Sequence, residues 1–255
     1  MTAGRRPRAA ERGGKRVNKV KIVRLEEVDS TNLYAKARAG EGEDLVVTAK
    51  RQTGGMGTKG RSFSSEEGGV YLTRLTFYRN FSAAEAFRVM AGASVAVCRT
   101  LERFGLSAGI KWPNDVYVQG RKICGILIEN IFSGPLLSRS IVGIGLNVNN
   151  ELPAELSGVA LSMRGAAGRP FDREEVENVL IEESGKSFPV SEYLSRLQFL
   201  GEEAVLVCGE ERIPARILSV DERGGLIAET AEGKRRFTAA EVSLRVPTAE
   251  GGRIL

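Results

Sequence analysis

Residues 111–130, KWPNDVYVQGRKICGILIEN, restrict the fold more than any other stretch of the sequence. Pro113 fixes its own backbone angle, lacks an amide hydrogen, and pushes Trp112 into an extended conformation. The runs VYV and ICGILI on either side of QGRK are rich in β-branched and apolar residues, which favours two strands joined by a tight turn. The stretch therefore predicts an antiparallel hairpin, and with it a fold that contains a β-sheet.

The expected register of this hairpin brings charged side chains together. A two-residue loop of Gly120 and Arg121 would pair Gln119 with Lys122, and Asp115 with Ile126. Strand alternation then places four side chains on one face: Asp115, Tyr117, Lys122 and Cys124. A lysine and an aspartate on one face could hold an anionic substrate and an incoming amine or metal, while the mid-strand glycine 125 lets a ligand approach the backbone. A surface hairpin with incidental charges is the alternative that these residues leave open.

The rest of the chain alternates between strand-like and helix-like segments. Compact apolar runs predict further strands at 21–28, 44–50, 69–78, 109–113 and 140–149. Apolar residues at helical spacing predict a helix over 83–104 and a helical region over about 172–199. A short helix should also begin near Ser30, which suits the N-cap position.

The texture of the sequence changes after Gly201. Short β segments there alternate with glycine-containing turns about every 8–12 residues, which is typical of a small SH3-like barrel. We therefore expect an α+β protein: a mixed β-sheet with helices packed on it over 21–195, and a small C-terminal SH3-like β-barrel over 200–248. Residues 1–20 are rich in Arg and Lys without periodicity, which predicts a disordered basic tail.

The composition limits the chemistry. The chain contains no histidine, which excludes His-based nucleophile activation, His general bases and most zinc sites. Three cysteines lie far apart without metal or redox spacing, and no apolar run approaches the roughly 18 residues of a membrane span. We therefore expect a cytoplasmic protein whose reaction depends on stabilising charge rather than on shuttling protons.

A glycine-rich loop follows the strand at 44–50. The stretch 52–61, QTGGMGTKGR, contains four glycines and two basic residues, which suits either a loop that wraps an anion or a flexible surface turn. It lacks the spacing of a Walker loop, so an ordinary P-loop nucleotide site is excluded.

Several motifs together resemble those of biotin–protein ligases. KWPND, followed seven residues after Asp115 by Lys122 and then by CGILIE, is similar to the signature of that family. The other motifs occur in the family's order: Ser30-Thr31-Asn32, Gln52 with its glycine loop, GIGLNVN at 143–149, GVALSM at 158–163 and the small C-terminal β domain. The resemblance covers nearly everything after residue 20.

The resemblance implies both a fold and an activity. It predicts a biotin/lipoate ligase-like catalytic domain over 21–195, with ATP and Mg²⁺ as cofactors and biotin as substrate. Such a protein forms biotinyl-5′-AMP and then transfers biotin to one lysine of a biotin carboxyl carrier protein. No membrane partner is expected, and the oligomeric state is left open, with a homodimer as one outcome.

The resemblance also assigns roles to residues. Those implied to bind biotin are Ser30, Thr31, Gln52, Gly55, Lys122, Gly125 and Ile126. Those implied to bind ATP or the adenylate are Lys59, Arg61, Trp112, Asn114, Lys122 and Asn147. The catalytic set would be Lys122, Asp115 and Arg61. No side-chain cluster predicts a metal site, so Mg²⁺ would arrive with ATP, with Asp115 as its candidate ligand.

Two departures from the family pattern stand out. Met56 and Thr58 occupy loop positions where family members usually carry arginines, and Phe63 replaces the usual Trp. Because arginine binds phosphate far better than a hydroxyl does, we expect weaker retention of the adenylate, partly compensated by Lys59 and Arg61. The basic tail is too short for a winged helix, so we expect no repressor role and no sequence-specific DNA binding.

Three other functions remain open from the sequence. One is lipoate or octanoate ligation on the related catalytic fold, which KWPND and the C-terminal domain disfavour. Another is a degenerate ligase that binds biotin or nucleotide without turnover. The third is a non-enzymatic RNA- or nucleotide-binding module, which the lack of clustered aromatics in the C-terminal region disfavours.

Overall fold

The computed structural model describes residues 20–246, so the predicted basic tail at 1–20 lies outside the described residues apart from Val20. Two β-sheets and five α-helices form this part of the chain. The helices are α1 (Thr31–Ala37), α2 (Phe87–Arg103), α3 (Met163–Ala167), α4 (Arg173–Ser184) and α5 (Val190–Ser195). The helical region predicted over 172–199 is therefore two helices, α4 and α5, and Pro189 stands at the N-cap of the second. None of the described helices is both long and apolar enough to span a bilayer.

The larger sheet has seven strands, and its mixed character is confirmed. Its strands are β1 (Lys21–Val28), β2 (Leu45–Gln52), β3 (Val70–Ser82), β4 (Gly109–Lys111), β5 (Asp115–Val118), β6 (Arg121–Ser133) and β7 (Leu136–Leu146). They pair in the order β1-β2-β3-β7-β6-β5-β4, with β1 parallel to β2 and every other pair antiparallel.

The β5–β6 hairpin forms as predicted, but the expected register is wrong. Its turn residues are Gln119 and Gly120, both with positive φ (50° and 72°), as a type I′ turn requires. Tyr117 therefore pairs with Lys122, and after an irregularity in the ladder Asp115 pairs with Gly125. Residue 124 pairs with Val116 and so lies on the core face, away from Asp115. The expectation that Cys124 shares a face with Asp115 is therefore also wrong.

Both faces of the seven-stranded sheet are covered. On one face α1 packs on β2, β3 and β7 around buried Ala35, Val47 and Ile141. On the other face α2 lies across β4–β7 and contacts α4 and α5. Neighbouring residues Val46 and Val47 belong to different clusters, as strand alternation requires.

The second sheet confirms the predicted small C-terminal β domain. Its strands are β8 (Glu203–Cys208), β9 (Glu211–Val220), β10 (Leu226–Thr230), β11 (Gly233–Phe237) and β12 (Ser243–Arg245), paired antiparallel in the order β11-β10-β9-β8-β12. No pairing between β11 and β12 closes it into a full barrel within residues 20–246. The division into domains at 21–195 and 200–248 stays a prediction, because one hydrophobic cluster runs from α2 and Trp112 into the second sheet.

Candidate active site

A cleft opens on the α1 face of the large sheet, where α1, the glycine loop and strands β5–β7 meet. Its lining residues are Ser30, Thr31, Asn32, Gln52, Met56, Gly57, Thr58, Phe63, Asp115, Lys122, Gly125, Ile126, Leu127, Gly143, Ile144 and Gly145. Seven residues singled out from the sequence for catalysis or biotin binding are thus brought together: Ser30, Thr31, Gln52, Asp115, Lys122, Gly125 and Ile126. Ser30 stands at the N-cap of α1 without a capping hydrogen bond from its side chain, so its hydroxyl is not committed to the helix.

An ion pair lies on the wall of this cleft. Lys122 Nζ donates to Asp115 Oδ1 at 2.7 Å, and about 30% of each side chain is exposed (31% and 27%). The β5–β6 hairpin holds both residues, so their separation depends on its turn and ladder. The pair leaves Lys122 two further donor positions for an anion in the cleft.

Gln52 hydrogen-bonds both to the start of α1 and to the segment that follows the glycine loop. Its Oε1 accepts from the backbone N (2.9 Å) and the hydroxyl (3.0 Å) of Thr31, and its Nε2 donates to Ser65 Oγ at 2.9 Å. The Ser65 hydroxyl in turn donates to the carbonyl of Phe63 at 3.0 Å. This network fixes the orientation of the amide, and Gln52 therefore positions Thr31 and the loop relative to each other.

Asn32 and Thr73 were not predicted as site residues. The Thr73 hydroxyl donates to Asn32 Oδ1 at 2.6 Å, while Asn32 Nδ2 is buried and has no partner within residues 20–246. An unpaired buried amide donor costs about 1–3 kcal/mol, so it suits a site where a ligand oxygen completes it. Asn32 belongs to the Ser30-Thr31-Asn32 motif, but its contact with Thr73, 41 residues further along the chain, is formed only in the fold.

Glycines form the floor of the cleft. A Cβ added at Gly145 would lie 2.5 Å from the Phe63 ring, and one added at Gly125 would lie 3.1 Å from it. A Cβ at Gly143 would collide with the Asn32 side chain, and one at Gly55 with Phe63 and Ser65. The Phe63 ring therefore packs across two strands that carry glycine where it crosses them. Gly55, predicted to bind biotin, shapes the loop beneath this ring rather than lining the cleft.

The glycine loop folds back on itself over the cleft. Met56 and Ser62 form an isolated bridge, and residues 58–60 form a single 3₁₀ turn. Arg61 donates to the Thr58 carbonyl (3.2 Å) and hydroxyl (3.0 Å), so in this conformation its guanidinium is held by the loop and does not line the cleft. The side chain of Lys59, also predicted to bind ATP, lies outside the part of the chain that the structure describes.

Three other predicted ATP-site residues do not line the cleft. Trp112 is buried and donates from Nε1 to the Gly224 carbonyl at 2.9 Å. Asn114 Nδ2 donates to the Ile126 carbonyl at 2.5 Å, and Asn147 Nδ2 donates to the Leu161 carbonyl at 3.3 Å. All three support the backbone around the cleft in this structure, and their contacts with nucleotide stay predictions.

Positive charge collects beside Asp115. Burial lowers the pKa of Lys111 from 10.5 to about 8; Asp115 opposes this shift, while Arg245, Lys122 and Arg61 add to it. Lys111, Arg245 and Arg61 do not line the cleft in this structure, so Lys122 is the cation that a ligand would meet among the described lining residues. No group of three or more carboxylates or thiols that could hold a metal occurs between residues 20 and 246.

Comparison with known proteins places this fold and cleft in a family. Residues 25–147 match the Biotin/lipoate A/B protein ligase family, and residues 201–245 match the Biotin protein ligase C terminal domain. Biotin protein ligase from Aquifex aeolicus, solved in complex with biotin and ATP, is 32% identical, with a TM-score of 0.73 over 88% of this chain and 98% of that one.

Curated relatives agree. The bifunctional ligase/repressor BirA of Bacillus subtilis (strain 168) is 30% identical over 79% of this chain, and this chain spans 66% of its length. The biotin–[acetyl-CoA-carboxylase] ligase of Paracoccus denitrificans is 29% identical over 86% of this chain and 98% of its own length. Since the Aquifex ligase is 32% identical and is covered almost completely, this chain belongs to the biotin protein ligase family.

Proposed function

We propose that this protein is an ATP-dependent biotin–protein ligase that forms biotinyl-5′-AMP from biotin and MgATP and transfers biotin to a lysine of a biotin carboxyl carrier protein. The observation that carries the proposal is the cleft itself, where the Lys122–Asp115 pair, an unpaired buried amide donor and a glycine floor converge. A relative of the same fold was solved with both biotin and ATP.

The cleft has groups for both parts of biotin. The free Nδ2 of Asn32 and the hydroxyl of Ser30 are available to the polar ureido ring, while the glycine floor and the backbone of Ile126 receive the apolar ring system. The Ile126 side chain itself packs in the cluster on the α2 face. Lys122 then lies where the valeryl carboxylate would end. This order of groups leads from the ring end of biotin to its reacting carboxylate.

The first half-reaction brings two anions together. The biotin carboxylate attacks the α-phosphorus of ATP, the bond to the β-phosphate oxygen breaks, and pyrophosphate leaves. Lys122 would donate to both the carboxylate and the α-phosphate, and a cation fixed there stabilises charge that develops during attack. Such transfers need alignment and charge neutralisation more than a dedicated base, which a chain without histidine can supply.

The second half-reaction forms the amide. The amine of the acceptor lysine attacks the carbonyl carbon of the mixed anhydride, AMP leaves with the electron pair, and the amine loses a proton to solvent. The carboxylate of Asp115 lies beside Lys122 and would orient the incoming amine. Orientation of two bound groups can supply a large part of the acceleration at such a step.

The donor set fits magnesium that arrives with the nucleotide. Mg²⁺ is commonly held by one or two carboxylates together with substrate phosphates, and Asp115 is the one carboxylate among the described residues lining the cleft. Bound there, the ion would neutralise phosphate charge. This chain's part is to present Asp115 and to keep Lys122 beside it.

The test is pyrophosphate exchange into ATP with biotin, lipoate or octanoate as the acid. We expect biotin-dependent exchange, reduced at least about 100-fold by Lys122→Met, because one preorganised donor contributes on that scale. Lys36→Met is the matched control, since Lys36 makes an exposed ion pair with Glu129 and does not line the cleft. Exchange that needs lipoate or octanoate instead of biotin would assign the protein to the alternative ligases, and no exchange with any acid would support the degenerate reading.

A further inference from the structure

A second cavity lies on the opposite face of the large sheet from the cleft. It has a volume of about 130 Å³, is partly open to solvent, and is bounded by β3, β7, the first turns of α2 and the segment after α4. Arg74 and Val142 line it, whereas their chain neighbours Thr73 and Gly143 face the cleft side. Because successive side chains of a strand point to opposite faces, the two sites are separated by the sheet.

The charge of this cavity is one-sided. Its lining includes three cationic residues, Arg74, Arg88 and Lys186, and none of the described lining residues has a carboxylate. A concave surface lined by one sign of charge concentrates ligands of the opposite sign. The cavity is therefore set up for an anion.

Arg74 is the strongest sign of such a ligand. Its side chain is buried (8% exposed), and no carboxylate between residues 20 and 246 lies within 4.0 Å of its guanidinium. Its described hydrogen bonds go to Ser184 Oγ (3.2 Å) and the Ile181 carbonyl (2.9 Å). The carbonyl end of α4 offsets part of the charge, and the nearby carboxylate of Asp44 raises the pKa of Arg74 against the lowering effect of burial. A buried guanidinium with no anion in direct contact remains costly.

The other two cations can be shared with a ligand. Arg88 pairs with Glu85 at 2.7 Å, and Lys186 pairs with Glu182 and Glu183 at 2.8 and 2.7 Å. About half of the Arg88 side chain (51%) and 43% of the Lys186 side chain are exposed. Arg88 and Glu85 are both exposed, so their pair contributes little and Arg88 can turn to an anion at small cost. Glu183 is buried, but it also pairs with Arg103 and so keeps a cationic partner when Lys186 turns to a ligand.

The remaining walls combine the hydroxyl residues Thr76, Ser184 and Ser187 with an apolar part that is sized for one ring. Tyr78, Phe81, Phe188 and Val142 contribute to them. A buried apolar cavity of about 150 Å³ is known to hold benzene, which is close to the volume found here. Gly92 of α2 also lines the space, and a Cβ added there would meet no atom within 4 Å.

We propose that this cavity is a second ligand site, which takes a small organic anion with one carboxylate or phosphate group and an apolar body of about one ring. The anionic group would meet Arg74, Arg88 and Lys186, and the ring would pack between Tyr78 and Phe188. The proposal is independent of the biotin chemistry, because the residues that carry it lie across the sheet from Lys122.

The experiment measures binding of four probes to the full chain by calorimetry at constant ionic strength: benzoate, phenyl phosphate, inorganic phosphate and the neutral benzamide. We expect benzoate or phenyl phosphate to bind at least about tenfold more tightly than benzamide, because the neutral amide loses the charge-assisted contacts. The preferred of the two anions identifies the head group. Tighter binding of inorganic phosphate than of either aryl anion would contradict the apolar part of the site.

Two variants of Gly92 locate the binding. Gly92→Leu should fill the cavity and abolish binding, whereas the matched Gly92→Ala should retain it, and both replace a mid-helix glycine by a better helix former. The double variant Arg88→Gln/Lys186→Gln should weaken binding at least about tenfold, with Arg235→Gln, from an exposed ion pair in the second sheet, as the control outside the cavity. Biotin-dependent exchange should be unchanged in the Gly92 variants. Equal binding of benzamide, no binding of either aryl anion, or undiminished binding by Gly92→Leu would each overturn the proposal.

Discussion

Thr58 and Arg61 contact each other within the glycine loop. Arg61 donates to both the carbonyl and the hydroxyl of Thr58, so its guanidinium is hydrogen-bonded within the loop. Thr58 and Met56 are the loop residues that line the cleft together with Gly57. A hydroxyl and a thioether are weak partners for phosphate compared with a guanidinium. At the residue scale the loop therefore offers the adenylate less charge than an arginine at position 58 would.

Thr58→Arg should slow the release of biotinyl-5′-AMP. The new guanidinium would reach the cleft directly and leave Arg61 without its hydroxyl acceptor, so we expect the dissociation rate to fall about tenfold. The measurement is the decay of enzyme-bound, labelled adenylate after dilution into unlabelled biotin and ATP. Met56→Leu is the control, since it leaves the charge unchanged. An unaltered release rate in Thr58→Arg would contradict this role of the loop.

Lys111 should make stability depend on pH. Its pKa is lowered to about 8 by burial, so between pH 8 and 10.5 the folded protein binds fewer protons than the unfolded chain, and stability rises with pH. From pH 7 to 9.5 the free energy of unfolding should rise by about 2 kcal/mol more in the parent protein than in Lys111→Met. Urea denaturation of both proteins at the two pH values measures this difference. The same pH dependence in both would exclude Lys111 as its source.

At the scale of elements, β7 serves both the cleft and the core. Gly143 and Gly145 lie under Asn32 and Phe63, while Val142 and Leu146 face the other cluster of apolar residues. The strand itself was predictable from its apolar run. The contacts of its glycines were not, because the partners come from α1 and the glycine loop, far away in the chain.

Gly145→Ala should weaken biotin binding. The added Cβ would lie 2.5 Å from the Phe63 ring, which must move into the space above the cleft floor. We expect KM for biotin to rise at least about tenfold with little change in KM for ATP, because the displaced ring lies over the floor that receives the biotin rings. Gly92→Ala, a glycine with open space around it, controls for the substitution itself. A rise in KM for ATP of the same size would place the damage elsewhere.

The β5–β6 hairpin was predictable from the sequence, but its register was not. Its existence followed from Pro113 and the alternating apolar runs, and the meeting of Lys122 with Asp115 followed from it. The register did not, because a positive φ at Gln119 is unusual for glutamine and the irregularity beside Tyr117 leaves no sequence signal. Period-2 reasoning therefore placed residue 124 on the wrong face.

At the scale of the whole molecule, the two sheets share one continuous hydrophobic cluster. The indole of Trp112, from the segment between β4 and β5, donates to the Gly224 carbonyl in the turn between β9 and β10. The short β segments and glycine-containing turns after Gly201 predicted the second sheet. Its contact with Trp112 could not be predicted from the sequence. A shared apolar cluster, together with this hydrogen bond, favours unfolding of both sheets together.

Trp112 should report on one cooperative transition. It is the one tryptophan of the chain, so its fluorescence follows the contact between the sheets. We expect the fluorescence and far-UV circular dichroism transitions in urea to coincide, with Trp112→Phe destabilised by about 1 kcal/mol or more for the lost hydrogen bond. A fluorescence transition at clearly lower urea than the dichroism transition would instead show that the second sheet detaches first.

The proposed activity of this protein is the attachment of biotin to a carrier lysine. The most direct measurement is the intact mass of a purified biotin carboxyl carrier domain after incubation with the protein, biotin and MgATP, beside the same domain with its acceptor lysine changed to arginine. We predict that the carrier domain with its acceptor lysine gains the mass of one biotinyl group and that the lysine-to-arginine domain gains none. Lys122→Met in the ligase should abolish the reaction. A carrier that stays unmodified here but is biotinylated by an established ligase in parallel would contradict the claim.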